Sequence, residues 1–535
     1  MLVRSTSLLI LLSTLIISIE VHATQCRPWQ QNDRLNKNLL IGKISIEIGN
    51  VYDKSNTEEN YWYHRAANKL HIITRQKVIQ RQLLFSSGDH FNERILLETE
   101  RLLRANSYIK NALITPVEVC NNTVNINVKT NDSWSLTPGF SFDRTGGTNR
   151  YSIDIEENNL LGYGKDIHFG TSQTIDRDER MLSYTDTQLW GSRKRLYLAI
   201  EDNSDGKGYA VDLSLPFYQL NSKRSWGTTI TNNKKETAIY QNGSIVRKFG
   251  EDKDFASIFY GWSHGNINNT TTRYKFGWAY EDNNYLPVAP YNITLAARTL
   301  SYPWTELEFF EEKYVRKTNL STMGTIEDIS LGHHFKFKAG LINKSLGSDD
   351  NYLFLSSSYN KGFQPASNQL GLISLGISSF VGNGLLEGVR VKGEAEWHYL
   401  LSKRNHFYLA GKFETASNLQ AEEQIILGEE TGLRGYPVRY QSGNKSFLIS
   451  MEHRHFYNWY PFRTVKLASA VFADVGSAWG QGNKQKILAD AGFGFRFVIT
   501  RSSIAKVLHL DFTFPIDAPA NIDDVQVNFK TKGSF

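Results

Sequence analysis

Val389-Arg390-Val391-Lys392-Gly393-Glu394-Ala395-Glu396-Trp397-His398-Tyr399 reads as two interleaved sets of residues. Val389, Val391, Gly393, Ala395, Trp397 and Tyr399 fall on one face of an extended chain, and Arg390, Lys392, Glu394, Glu396 and His398 fall on the other. A period of two belongs to a β-strand, because successive side chains point to opposite sides of the sheet. Alternation alone fits a soluble sandwich as well as a barrel, so the decision passes to the surrounding sequence.

From Trp134 onward the period of two persists, and the polar faces carry both signs of charge, as the wall of a lumen does. The chain holds 26 Tyr, 30 Phe and 11 Trp; Tyr302-Pro303-Trp304, Trp459-Tyr460 and Trp479 are placed as in the aromatic girdles of a membrane barrel. Polar inserts at residues 265–272 and 347–351 read as loops or turns. The last stretch alternates Val525, Val527 and Phe529 with Gln526, Asn528 and Lys530 and stops on Phe535, like the terminal strands of outer-membrane barrels. A spanning strand needs ~9–11 residues, so residues 132–535 predict sixteen antiparallel strands, roughly 25 residues apart. Closure is required because an open edge would leave backbone groups unpaired in lipid. The expected fold is mainly β: a 16-stranded transmembrane β-barrel behind one small α+β domain.

Residues 1–23 read as an export signal, with Arg4 ahead of a short apolar run that ends at Ala23. Residues 24–40 form an N-terminal tail. Within residues 41–131, Ile44, Ile46 and Ile48 mark a strand. Thr74 stands where a helix would be capped, ahead of Val78, Ile79, Leu83 and Leu84. Asn92 caps a second helix striped by Ile95, Leu96, Thr99, Leu102 and Leu103, with Asn106 at its end. Two strands follow. This order, with the Leu84-Phe85-Ser86-Ser87-Gly88-Asp89 turn, resembles a POTRA domain, the periplasmic module of outer-membrane transporters. The resemblance implies a sheet edge that takes up extended client polypeptides; a spacer that grips nothing is the alternative. Cys26 and Cys120, the only cysteines, suggest one disulfide in an exported protein, with two free thiols as the other reading.

Further motifs converge on one group. Asn158-Asn159-Leu160-Leu161-Gly162-Tyr163-Gly164-Lys165, Pro216-Phe217-Tyr218, Leu433-Arg434-Gly435-Tyr436, Phe472-Ala473-Asp474-Val475-Gly476 and Gly492-Phe493-Gly494-Phe495-Arg496 occur in this order. Together they resemble the BamA/TamA-like outer-membrane assembly and two-partner secretion superfamily. The resemblance implies that Leu433, Arg434, Gly435 and Tyr436 sit on a loop folded into the lumen. Periodicity places Asp474 on the inward face of its strand and Gly492, Gly494 and Arg496 on the inward face of the next. Asp474 is therefore the expected anchor for Arg434, in a pairing that is often bidentate, and the two glycines are expected to leave the loop room against the wall.

The expected role is insertion or translocation of client polypeptides at the bacterial outer membrane, with the small domain in the periplasm. Partners would be outer-membrane lipid, unfolded or exported clients and accessory periplasmic proteins. A two-partner secretion transporter for one exoprotein and a passive pore or surface-antigen barrel are the alternatives. No nucleophile elbow, phosphate loop or metal-ligand spacing occurs, so no enzyme, cofactor or metal is expected. The net charge of +6 is spread along the chain, which disfavours nucleic acid as a partner.

Overall fold

The computed structural model describes residues 26–36, 38–145, 148–382, 385–503 and 506–532. The export signal and Phe535 lie outside the described residues.

Residues 26–132 build a four-stranded sheet in the order Cys26–Pro28, Ile109–Cys120, Thr123–Asp132, Leu40–Gly49. The last pair is parallel, which leaves Leu40–Gly49 as an edge. Its core joins Ile41, Ile114, Ile126 and Val128 of the sheet to Val78, Ile79, Leu96 and Leu103 of the helices. Cys26 and Cys120 are disulfide-bonded, which adds the short first strand to the sheet.

Among the described residues the small domain has three α-helices where two were expected: Trp62–Leu70, Gln76–Gln80 and Glu93–Arg104. The first carries no apolar stripe because its buried side is polar. His64 bonds the Phe462 carbonyl (2.8 Å), and Asn68 donates to the Tyr52 carbonyl (2.8 Å). Arg75, not Thr74, caps the second helix. Thr74 instead donates its N–H and hydroxyl to buried Asp132 (2.7 and 2.9 Å). Asn92 caps the third helix, accepting from the Arg94 N–H (3.0 Å); Ala105 ends it, and Asn106 donates back to the Leu102 and Leu103 carbonyls.

Among the described residues from Leu136 to Lys532 the chain forms a closed antiparallel barrel of twenty strands, where sixteen were expected. The sixteen-strand division allowed too much chain for connections. Several hairpins close on two residues, as between Asn203 and Gly206 and between Gln241 and Ser244. Residues 265–272 are likewise strand for most of their length, turning at Asn268-Asn269, both with positive φ.

The outward face is apolar and exposed: Ile153 is 53% exposed, with Phe169, Ile200, Ile258 and Phe276 similarly placed around the wall. Tyr302 and Trp304 depart from the girdle expectation. Both are buried, in a cluster with Leu300, Ile342, Phe255 and Phe354. Here the barrel interior is aromatic, and Trp304 takes Lys338 over its ring (4.3 Å).

The small domain caps one mouth. Arg501 donates to the Val51 carbonyl (2.9 Å), Asn159 to Thr74 (2.9 Å), Gln188 to the Val78 carbonyl (3.2 Å), and the Leu220 N–H to Glu98 (2.7 Å). These barrel residues lie at the ends of different strands or in the turns between them, so the domain is seated across the mouth and not hinged at one point.

Candidate functional site: a loop anchored in the barrel lumen

Between the strands Asn405–Ser417 and Lys445–Phe456 the chain turns back into the barrel. Ile425–Leu427 pairs with Gln441–Gly443 as a stem. Beyond it, Leu433 and Tyr436 are wholly buried against Leu427, Leu448, Ala478, Leu488 and Ile522. This apolar packing brings the polar tip to the wall.

Arg434 lies between those two anchors, 4% exposed. Its Nε donates to Asp474 Oδ2 (2.6 Å) and its Nη2 to Asp474 Oδ1 (2.9 Å), a bidentate fork. Nη1 donates to Glu452 Oε1 (2.8 Å). The guanidinium carbon stands 3.5 Å from the centroid of Phe472. Register explains the convergence: Phe472 and Asp474 are two apart on one inward face, and Glu452 is the cross-strand partner of Phe472. Glu452 is shared, since Arg454 Nε donates to its second oxygen (2.7 Å).

The glycines act differently from the expectation. A Cβ at Gly492 would stand 2.7 Å from the Phe472 ring, so this glycine seats the ring under Arg434 and not the loop itself. Gly494 makes space for the buried pair of Arg496 and Asp511. The close approach of the loop occurs at Gly435, whose N–H donates to Asp490 (2.8 Å) and where a Cβ would lie 2.6 Å from Asp490 Cβ. Tyr436 donates its hydroxyl to the Ile516 carbonyl (3.0 Å).

The loop also holds the last strand, Gln526–Lys532. Asn528 donates to the Arg434 carbonyl (2.8 Å), and Lys530 pairs with Glu429. Val525 and Val527 point outward and are exposed. Phe529 lies opposite Arg144 of the first barrel strand, Leu136–Thr145.

Glu452 and Arg454 escaped the sequence reading, which set Asp490 on an inward face and Asn528 and Lys530 on the polar side of the last strand without tying any of the three to the loop. The same alternation marks each as inward-facing, as with Glu452 and Arg454 against Met451 and His453. Their convergence on one loop needs the closed barrel.

The fold is similar to those of BamA and CdiB. BamA from Haemophilus ducreyi lacking POTRA domains 1–3 matches at 13% identity and TM-score 0.40, over 95% of this chain and 89% of that one. CdiB from Acinetobacter baumannii matches at 12% identity and TM-score 0.46, over 95% and 77%. CdiB from Escherichia coli matches at 11% identity and TM-score 0.48, over 95% and 80%. No protein-family model and no curated protein matches the sequence.

Cys26, Glu118 and Cys120 lie close together, but both sulfurs are spent on the disulfide.

Proposed function

We propose that the chain is an outer-membrane barrel that inserts or translocates client polypeptides, with its small domain in the periplasm. The observation that carries this reading is the seam. Leu136–Thr145 and Gln526–Lys532 align at one residue pair, Phe529 with Arg144, among the described residues. The neighbouring ladder, Val507–Ile516 with Gln526–Lys532, is aligned from Val507–Lys532 to Thr513–Gln526. At such a seam, where the last strand meets the first, an incoming strand can exchange main-chain donors and acceptors with either edge. Strand exchange there needs no nucleotide. The exposed apolar belt supports a membrane setting, and the periplasmic edge strand Leu40–Gly49, whose first residues are already bonded to Gly88–Phe91, offers its remaining length as a first docking place for an extended client.

The test is to join the seam through cysteines introduced at residues 144 and 529 and to follow the outer-membrane proteome. Loss of clients on crosslinking, restored by reductant, supports the gate; an unchanged proteome removes it. Loss of many barrels indicates general assembly, and loss of one exported protein indicates dedicated secretion.

A further inference from the structure

Between the strands Arg298–Glu311 and His333–Ile342 the chain makes an insert outside the barrel ladder: a hairpin of Tyr314–Thr318 and Ile326–Ser330. It does not stay at its own rim. Its tip crosses the domain-side mouth and buries Met323 against Phe456, Ala468, Val498 and Val507 of the opposite wall. Leu320 is buried with Leu331 and Leu370, and its carbonyl accepts from Arg454 (3.3 Å).

The two sides of the hairpin are held by different chemistry. Toward the barrel the tip is held by apolar packing together with hydrogen bonds to its backbone from Arg454 and His406, at Leu320 and Asn319, and from Lys317 to the Ser367 carbonyl (2.8 Å). Toward the small domain it is held by ion pairs with the helix Glu93–Arg104. Arg104 forks onto Asp328 (2.8 and 2.9 Å) and Arg316 pairs with Glu100, while Arg94 and Arg101 both donate to Glu312 (2.9 and 2.7 Å) at the root of the hairpin, where the Glu312 N–H is held by the Asn269 carbonyl of the barrel rim. Arg104, Glu100 and Glu312 are nearly buried. Directional pairs between buried charges resist separation, because each partner would be left desolvated and uncompensated. Parting the apolar contact exposes Met323 and Leu320 to water, an unfavourable step, but strands no charge.

We propose that this hairpin is a plug of the periplasmic mouth that moves with the helix Glu93–Arg104, so that displacing the small domain withdraws it. This rests on the reading of the barrel as membrane-spanning. Arg454 then places the plug in register with the lumen loop, since it binds both the Leu320 carbonyl and Glu452, the second acceptor of Arg434.

The test uses the full-length protein in planar bilayers in potassium chloride, a readout independent of any client. Met323→Cys with Ala468→Cys, joined by a short bismaleimide, pins the tip to the wall; Arg104→Cys with Asp328→Cys pins it to the helix. Mild urea, chosen to loosen the domain without unfolding the barrel, is expected to raise conductance at least several-fold in the unlinked and helix-pinned proteins and to leave the wall-pinned protein closed. Equal openings in the wall-pinned and unlinked proteins overturn the plug, as does a helix-pinned protein that stays closed. A chain that inserts into no bilayer overturns the membrane reading itself, and with it the plug. Arg104→Asp with Asp328→Arg serves as a second check: each single change should uncouple opening from urea, and the pair should restore it.

Discussion

Replacing Arg434 by Ala removes the fork on Asp474, the bond to Glu452 and the cation over Phe472 in one step. The two carboxylates do not suffer equally. Glu452 keeps Arg454 at 2.7 Å, whereas Asp474, wholly buried, loses the guanidinium that neutralises it. Breaking a buried pair from one side costs about 3–5 kcal/mol, which raises the population of the released loop by roughly 10²–10³-fold or more. Asp474→Ala should cost a similar amount. The double variant should cost about 2–3 kcal/mol less than the sum, because neither charge is then stranded. Hydrogen exchange of the 433–436 amides in the full-length protein reads this opening free energy, and the Gly435 N–H, held by Asp490, is the most direct reporter. Arg434→Lys, which keeps the charge without the fork, should fall between wild type and Ala. Effects of Arg434→Ala and Asp474→Ala that add within about 0.5 kcal/mol would refute the pairing as the anchor. Faster exchange with unchanged client insertion would make the loop a brace and not part of a gate.

Asn528→Ala should free the last strand from the Arg434 carbonyl at a cost of about 1–2 kcal/mol, seen as faster amide exchange in Gln526–Lys532 and more efficient trapping of a cysteine pair across the seam. Reducing Cys26–Cys120, or replacing both by Ser, should destabilise the small domain by roughly 4–5 kcal/mol, since the bond closes a separation of 94 residues; urea unfolding with and without reductant measures it. Lys110, in the strand Ile109–Cys120, is pushed down to about 8 by burial and by nearby Arg501, with Glu59 opposing. Folding therefore favours its neutral form. The resulting penalty is absent above pH 10.5, grows as pH falls toward 8 and is complete below it. Lys110→Met should accordingly stabilise the seated domain at pH 7 by about 2–3 kcal/mol and flatten the dependence between pH 8 and 10.5, as measured by urea titration at each pH.

The alternation in residues 389–399 and 465–476 carries the barrel in plain view, because a strand between lipid and lumen must change chemistry at every residue. By the same rule Asp474 and Arg496 could be assigned inward from the sequence, and the geometry around Arg434 follows from that face. Strand number was not legible, since it depends on turn length, and turns as short as the one joining Asn203 to Gly206 carry little signal. The helix Trp62–Leu70 was hidden because its buried side is polar and finds its partners on the barrel and in the loop before it.

The sequence by itself determined the alternating strand pattern and the small mixed domain, because each depends on residues near one another along the chain; the lumen loop of Arg434 came only from a family resemblance. Only the tertiary structure decided that Glu452, Asp490, Asn528 and Lys530 gather around that loop, and that the hairpin of Tyr314–Thr318 and Ile326–Ser330 reaches the far wall. Closing the sheet sets strands far apart in sequence face to face across the lumen, and no local periodicity records which of them meet.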